Sequence, residues 1–136
     1  MKRAIDVGLF GELADPRVAA RLAARAEERG WDGFFVWDHI AYRAPVRAVA
    51  DPWVALAAVA CATSRVRIGA LVTPLSRRRV HKVARERATL DLLSSGRLIF
   101  GAGLGSARQN AVHVRAIAPA AILYPANICS TSCDVK

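Results

Sequence analysis

No apolar run in this 136-residue chain approaches the roughly 20 residues that a bilayer-crossing helix requires, so no membrane span is expected. A secretory leader is not expected either. Met1-Lys2-Arg3-Ala4-Ile5-Asp6 puts an acid where a leader needs an uninterrupted apolar core, and the segment reads as the first strand of a cytoplasmic protein. Cysteine is scarce, at three, an odd number that argues for reduced thiols. Cys61 lies in an Ala-rich helical stretch and reads as core. Cys129 and Cys133 form a C-x3-C pair with neither a second pair nor a histidine at metal spacing, so no zinc site is expected.

Acids are also few: 11 against 20 Lys and Arg, a formal charge of +9. Such a balance raises nucleic-acid binding as a function. Most of the arginines, however, are scattered singly along Ala-rich helices. The one true cluster, Arg77-Arg78-Arg79 with His81 and Lys82, has no interleaved aromatics and no reading helix. Solvated helix faces are the better account, and no nucleic-acid partner is expected. What the chain has in quantity is hydrophobic residues, 54%, enough for one globular domain with a real core.

Those residues are arranged in a repeating grammar. Ala4 to Phe10 is a β-prone run closing at Gly11, and Asp15-Pro16 then supplies an N-cap acid followed by a proline at the first helical position. Val18, Leu22 and Ala26 mark the inward face of that helix, and Gly30 ends it. Gly33 to Trp37 is nearly all apolar, as a strand buried on both faces of a parallel sheet should be. Asp51-Pro52 opens the second helix, with Trp53, Leu56, Ala57 and Ala60 inward. Strand three follows from Val66 to Val72 and closes at Thr73-Pro74. A third helix is predicted from about Arg79 to Ser94, with Val80, Val83, Ala84, Leu90 and Leu93 inward and Gly96 as its stop. Strand four is Arg97 to Phe100. Strand starts recur at about 30 residues, the size of a βαβ unit, and right-handed crossovers would make all four parallel.

After Ser106 this grammar fails. Residues 107–136 carry Pro119 and Pro125, no acid before Asp134, and no helix start or stop signals. A loosely ordered tail and a reading-frame change both account for it. The expected organisation is therefore a domain over 1–106 and a divergent tail over 107–136.

In parallel α/β proteins the loops after the strands face the ligand, so Trp37-Asp38-His39 at the end of strand two carries the first candidate site. His39 is read as projecting into the mouth of the sheet to handle a proton or bond a cofactor. Asp38 either orients that imidazole, binds a polar ligand group, or caps the following loop. Gly101-x-Gly103-x-Gly105 follows strand four, but Ser106 stands where a dinucleotide fingerprint needs its third glycine. No helix signal and no acid at the required distance follow it, so the Rossmann reading fails. These glycines either admit a flat ligand to the backbone or make a tight turn. Gly69-Ala70-Leu71 is unusually small for a β core, leaving room for a ring system or for a bulky neighbour such as Phe10 or Phe35.

Taken in order, Gly30 to His39, Asp51-Pro52-Trp53, Arg67 to Leu75, Leu90 to Leu98 and Gly101-x-Gly103-x-Gly105 resemble the N-terminal part of the bacterial luciferase-like flavin oxidoreductases. That family includes FMN monooxygenases and enzymes using the deazaflavin F420. The resemblance implies the first four βα units of a (β/α)8 barrel, FMN or coenzyme F420 as cofactor, and a small-molecule substrate. It implies His39 as the catalytic proton handler with Asp38 as its partner, the pair leaning toward F420. It places Gly69, Ala70, Leu71 and Thr73 beside the cofactor ring, with a non-prolyl cis peptide at Ala70-Leu71. Gly103 and Ser106, in the turn after strand four, complete the candidate cofactor-binding set. Two departures stand out: Ser106 occupies the place where several F420-using members carry a catalytic Glu, and Leu104 the place of a phosphate-contacting Arg in luciferase. Four strands leave sheet edges that a closed barrel would not have. The reading is thus a truncated oxidoreductase with impaired or no activity, or a non-catalytic fragment that self-associates or pairs with a full-length relative.

Overall fold

The computed structural model describes residues 2–105. Strands β1 (Ala4–Val7), β2 (Gly33–Val36) and β3 (Arg67–Ala70) form one sheet in the order β1-β2-β3, parallel at both pairings, with Asp6 beside Phe35 and Phe35 beside Gly69. Helices α1 (Pro16–Glu28), α2 (Pro52–Ala62) and α3 (Val80–Leu93) lie between the strands in sequence. The α/β class, the parallel strands and the helix starts agree with the sequence. Asp15 accepts from the Arg17 N–H at 2.9 Å, and Asp51 accepts from the N–H groups of Trp53 and Val54 at 2.9 and 3.0 Å. Each carboxylate satisfies helix N–H groups that have no partner within the helix.

Strands three and four are more broken than the sequence suggests. The β3 pairing ends at Ala70, and a short β4 (Thr73–Pro74) then pairs in parallel with β5 (Ala102–Gly103). Arg97 to Phe100 forms no strand; a single parallel bridge joins Leu98 to Ile68. The glycines explain how these segments approach so closely. A Cβ on Gly69 would collide with the Ile99 carbonyl, one on Gly101 would lie 2.7 Å from the Ala70 carbonyl oxygen, and one on Gly103 would lie 2.5 Å from Val72 Cγ2. What fills the space left by the small residues is therefore neighbouring protein, with Phe35 also at Gly69.

The helix faces are shifted from their predicted positions. α1 buries Ala19, Ala23 and Ala26, with Val18 and Leu22 at its margins, because α1 packs on α2 and small residues allow the close approach. In α3 only Val83 and Leu90 are buried, while Val80 is 81% exposed and Ala84 and Leu93 also face out. Cys61 is exposed rather than core. The main core joins Phe34, Val36, Ile68 and Ala70 from the strands with Leu56 and Val59 from α2.

Two polar latches close the end of the sheet where the strands begin. Arg97, 9% exposed, donates from Nε to the Ser94 carbonyl, from Nη1 to Thr63 Oγ1 and the Val66 carbonyl, and from Nη2 to the carbonyls of Ala60 and Thr63. Glu27 reaches from α1 to accept the backbone N–H groups of Ser64, Arg65 and Val66 at 2.6–3.2 Å, and the Ser64 hydroxyl as well. Desolvation works to raise the Glu27 pKa, but the bonds from Val66, Ser64 and Arg65 outweigh it and hold the carboxyl at about 2, below its ordinary 4.5.

Two outcomes follow from these latches. Arg97→Met strands several buried oxygens and should lower stability by about 2–4 kcal/mol in urea unfolding; a loss under about 1 kcal/mol would show that the acceptors find other donors. The Glu27 contribution is complete above pH 4.5 and is lost as pH falls toward about 2, so the melting temperature should drop across that window. Glu27→Gln should flatten that part of the profile.

Candidate functional site

The opposite end of the sheet, where the strands finish, carries the candidate site. Pairing continues one residue past β2, with the Trp37 N–H donating to the Val7 carbonyl at 3.0 Å. Side chains of an extended segment alternate in direction. Trp37 and His39 fall together, ring centroids 5.3 Å apart, while Asp38 between them is buried at 6% exposure. The Trp37 indole N–H donates to Asp6 Oδ2 of β1 at 2.9 Å. Tyr42 stacks on Phe10 at 4.5 Å and 16°, and its ring centroid is 5.8 Å from that of His39. His39 thus stands beside two aromatic rings, Trp37 and Tyr42, which Phe10 backs at the ends of β1 and β2.

Asp38 does not orient the imidazole. Arg78 holds its Oδ2 with Nε at 3.1 Å and Nη2 at 2.8 Å. Arg77 Nη2 donates to the Asp38 carbonyl at 2.7 Å and lies 3.4 Å from Oδ1. The alternation that puts His39 beside Trp37 is what turns the carboxylate toward these two arginines. The run Arg77-Arg78-Arg79 is therefore not a solvated face throughout. The Arg77 side chain is 4% exposed and that of Arg78 19%, with Arg79 alone exposed. The sequence signal that could have shown this is proximity to Thr73-Pro74, since a basic run directly after a strand lies at the ligand end of a parallel sheet.

Among the described residues, buried His39 Nδ1 has no hydrogen-bond partner, and the same is true of Thr73 Oγ1 and Arg77 Nη1. Desolvation, reinforced by the Arg77 charge and opposed by Asp38, lowers the His39 pKa from its ordinary value, which favours a neutral imidazole. Burial raises the Asp38 carboxyl, against the opposing pull of Arg78 and Arg77. A cavity of about 230 Å³ opens beside these groups, lined by Asp38, His39, Val49, Asp51, Pro52 and Arg78.

The other predicted cofactor positions are distributed as follows. Gly69 and Ala70 lie in β3, the latter buried in the core. Leu71 and the adjacent Val72 are 41% and 40% exposed, an apolar surface beside Gly103. Thr73 is buried at 1% exposure. The non-prolyl cis peptide is at Leu71-Val72, one bond beyond the position expected. Ser106 lies outside the described residues. Among the described residues no cluster of metal-ligating side chains is present, and no helix is long and apolar enough to cross a membrane.

His39 Nδ1, Thr73 Oγ1 and Arg77 Nη1 lie near where the parallel strands end, the end that carries ligands in parallel barrels. Residues 5–118 match the luciferase-like monooxygenase family, and the chain belongs to it. It is 43% identical over 102 residues to an F420-dependent glucose-6-phosphate dehydrogenase of Amycolatopsis mediterranei, a match covering 71% of this chain and 29% of the relative. Among solved structures it is similar to an F420-dependent secondary alcohol dehydrogenase in complex with an F420-acetone adduct. That pair is 30% identical with a TM-score of 0.69, over 80% of this chain and 34% of the other. In fold it is also similar to the oxygenating constituent of 3,6-diketocamphane monooxygenase from Pseudomonas putida in complex with FMN. There the identity is 17% and the TM-score 0.68, over 83% of this chain and 32% of the other. The chain spans less than a third of the length of the Amycolatopsis relative.

Proposed function

We propose that this chain supplies the ring-binding part of an oxidoreductase that uses a deazaflavin (F420) or flavin (FMN) cofactor on a small-molecule substrate. The observation that carries the reading is the unpartnered His39 Nδ1, buried at the end of β2 beside the Trp37 and Tyr42 rings. Thr73 Oγ1, unpartnered just beyond the end of the neighbouring β3, is a second polar anchor, and exposed Leu71 and Val72 offer the apolar surface that a flat ring requires. These residues fit such a ring. When bound, the cofactor supplies two-electron redox chemistry. His39, with burial favouring its neutral form, would take up a proton at the reacting centre, Thr73 would hold a polar edge of the ring, and the Trp37 and Tyr42 rings flank the imidazole. The F420-dependent relatives tilt the choice toward the deazaflavin.

The test is fluorescence titration of the full chain with coenzyme F420 and, separately, with FMN. Saturable binding is expected, weakened roughly tenfold or more by His39→Ala and by Thr73→Val, each loss corresponding to at least one buried bond. A chain with an intact far-UV spectrum that binds neither cofactor would refute the reading.

A second reading rests on the sheet edge. Among the described residues β1 pairs only with β2, and Leu71, Val72 and Ile99 are exposed beside the broken strands. Such an edge is a template for another strand, and association with a second copy is expected in size-exclusion chromatography; a monomer at all concentrations tested would eliminate it.

A further inference from the structure

We infer that Arg77 and Arg78 are positioning residues of the site: they hold and neutralise the Asp38 carboxylate on the side away from His39 and thereby leave the imidazole Nδ1 free for a ligand atom. This rests on the reading that a ligand sits beside His39. Adjacent Asp and His residues would ordinarily be read as a dyad in which the acid fixes the tautomer and makes the imidazole more basic. Here the geometry does the reverse.

Both carboxylate oxygens of Asp38 are engaged by guanidinium groups, Oδ2 by two N–H donors of Arg78 and Oδ1 by Arg77. Arg77 also holds the Asp38 main-chain carbonyl, so the peptide leading into His39 is gripped on the backbone as well as the side chain. Planar, multi-donor guanidinium is suited to this task, and a point-charge ammonium is not. Arg78 is itself steadied from α3. Its Nη1 lies 3.8 Å from Glu86 Oε2, Lys82 Nζ lies 2.9 Å from Glu86 Oε1, and the Arg78 guanidinium stands 6.0 Å from the Trp53 ring centre. A line of alternating charges therefore runs from α3 to the residue before His39.

The groups facing the imidazole are few. Trp37 and Tyr42 contribute rings, Asp38 and Arg77 contribute opposing charges, and Asp51 and Arg78 line the same cavity. Asp51 uses Oδ1 for the N–H groups of Trp53 and Val54. Asp38 is the carboxylate whose charge acts on His39, so its release would be felt there. While the clamp is closed, the imidazole stays neutral with an unpaired nitrogen, as a proton handler working near neutral pH requires.

The test is NMR titration of the His39 imidazole in the full chain, which needs no bound cofactor. Arg77 and Asp38 supply opposing charges that act on His39. Arg78→Met should raise the His39 titration midpoint, because the Asp38 charge, no longer neutralised by Arg78, then acts more strongly on the imidazole. The double variant Arg78→Met with Asp38→Asn should abolish that rise, and Arg78→Lys should give a smaller one. A purely structural arginine would leave the midpoint unmoved in folded variants, and that result would overturn the inference. The unaltered chain gives a second measurement independent of any variant: imidazole 15N shifts should show no bond from Nδ1 to a carboxylate, and a carboxylate-bonded Nδ1 would overturn the inference alone. Failure of cofactor titration with these results intact would refute the proposed function but not the clamp.

Discussion

One buried guanidinium determines how the rest of the chain is held. Among the described residues Arg97 has no carboxylate partner; its five bonds there all go to neutral oxygens of Ala60, Thr63, Val66 and Ser94. These oxygens belong to the end of α2, the entry to β3 and the end of α3, the places where backbone carbonyls run out of helical partners. An always-charged, acceptor-free side chain is the efficient way to satisfy so many carbonyls at one point. With Glu27 accepting three backbone N–H groups close by, positive and negative side chains each neutralise the loose ends of the main chain rather than one another.

That saturation at the strands' beginnings contrasts with their ends. There His39 Nδ1, Thr73 Oγ1 and Arg77 Nη1 are buried without partners among the described residues. A folded chain tolerates such atoms only where stability is secured elsewhere, and the two latches secure it. The same division between a supporting face and a ligand face characterises parallel barrels generally. Here it extends to charge: the arginines near His39 hold an acid in place, while the arginine at the far end holds main-chain carbonyls and one hydroxyl.

Much of the architecture was legible in the sequence because its signals are local. Asp15-Pro16 and Asp51-Pro52 act within one turn of the helices they start, and the all-apolar Gly33 to Val36 run announces a strand covered on both faces. His39 was legible because its place at a strand's end follows from the βα rhythm. What could not be read depends on contacts between distant residues. Arg97 and Glu27 look like two of many scattered charges, since their partners lie 31–39 positions away for Arg97–Val66 and Glu27–Val66. The Asp38 clamp is similar: its arginines are about 40 residues downstream, in a run whose composition suggests a wet surface. On α1 aliphatic size points to Val18 and Leu22, whereas close packing on α2 buries the smaller Ala19 and Ala23 beside the expected Ala26.

The alternation along Trp37-Asp38-His39 makes the chemistry of this end depend on parity. Two adjacent letters serve opposite sides of one ribbon, one facing the aromatic pocket and the other the arginines. A one-residue insertion or deletion between Val36 and Asp38 would exchange those sides, presenting a carboxylate to the rings and an imidazole to two cations. Chemically mild changes of spacing at these three positions would therefore be more damaging than drastic changes of side chain.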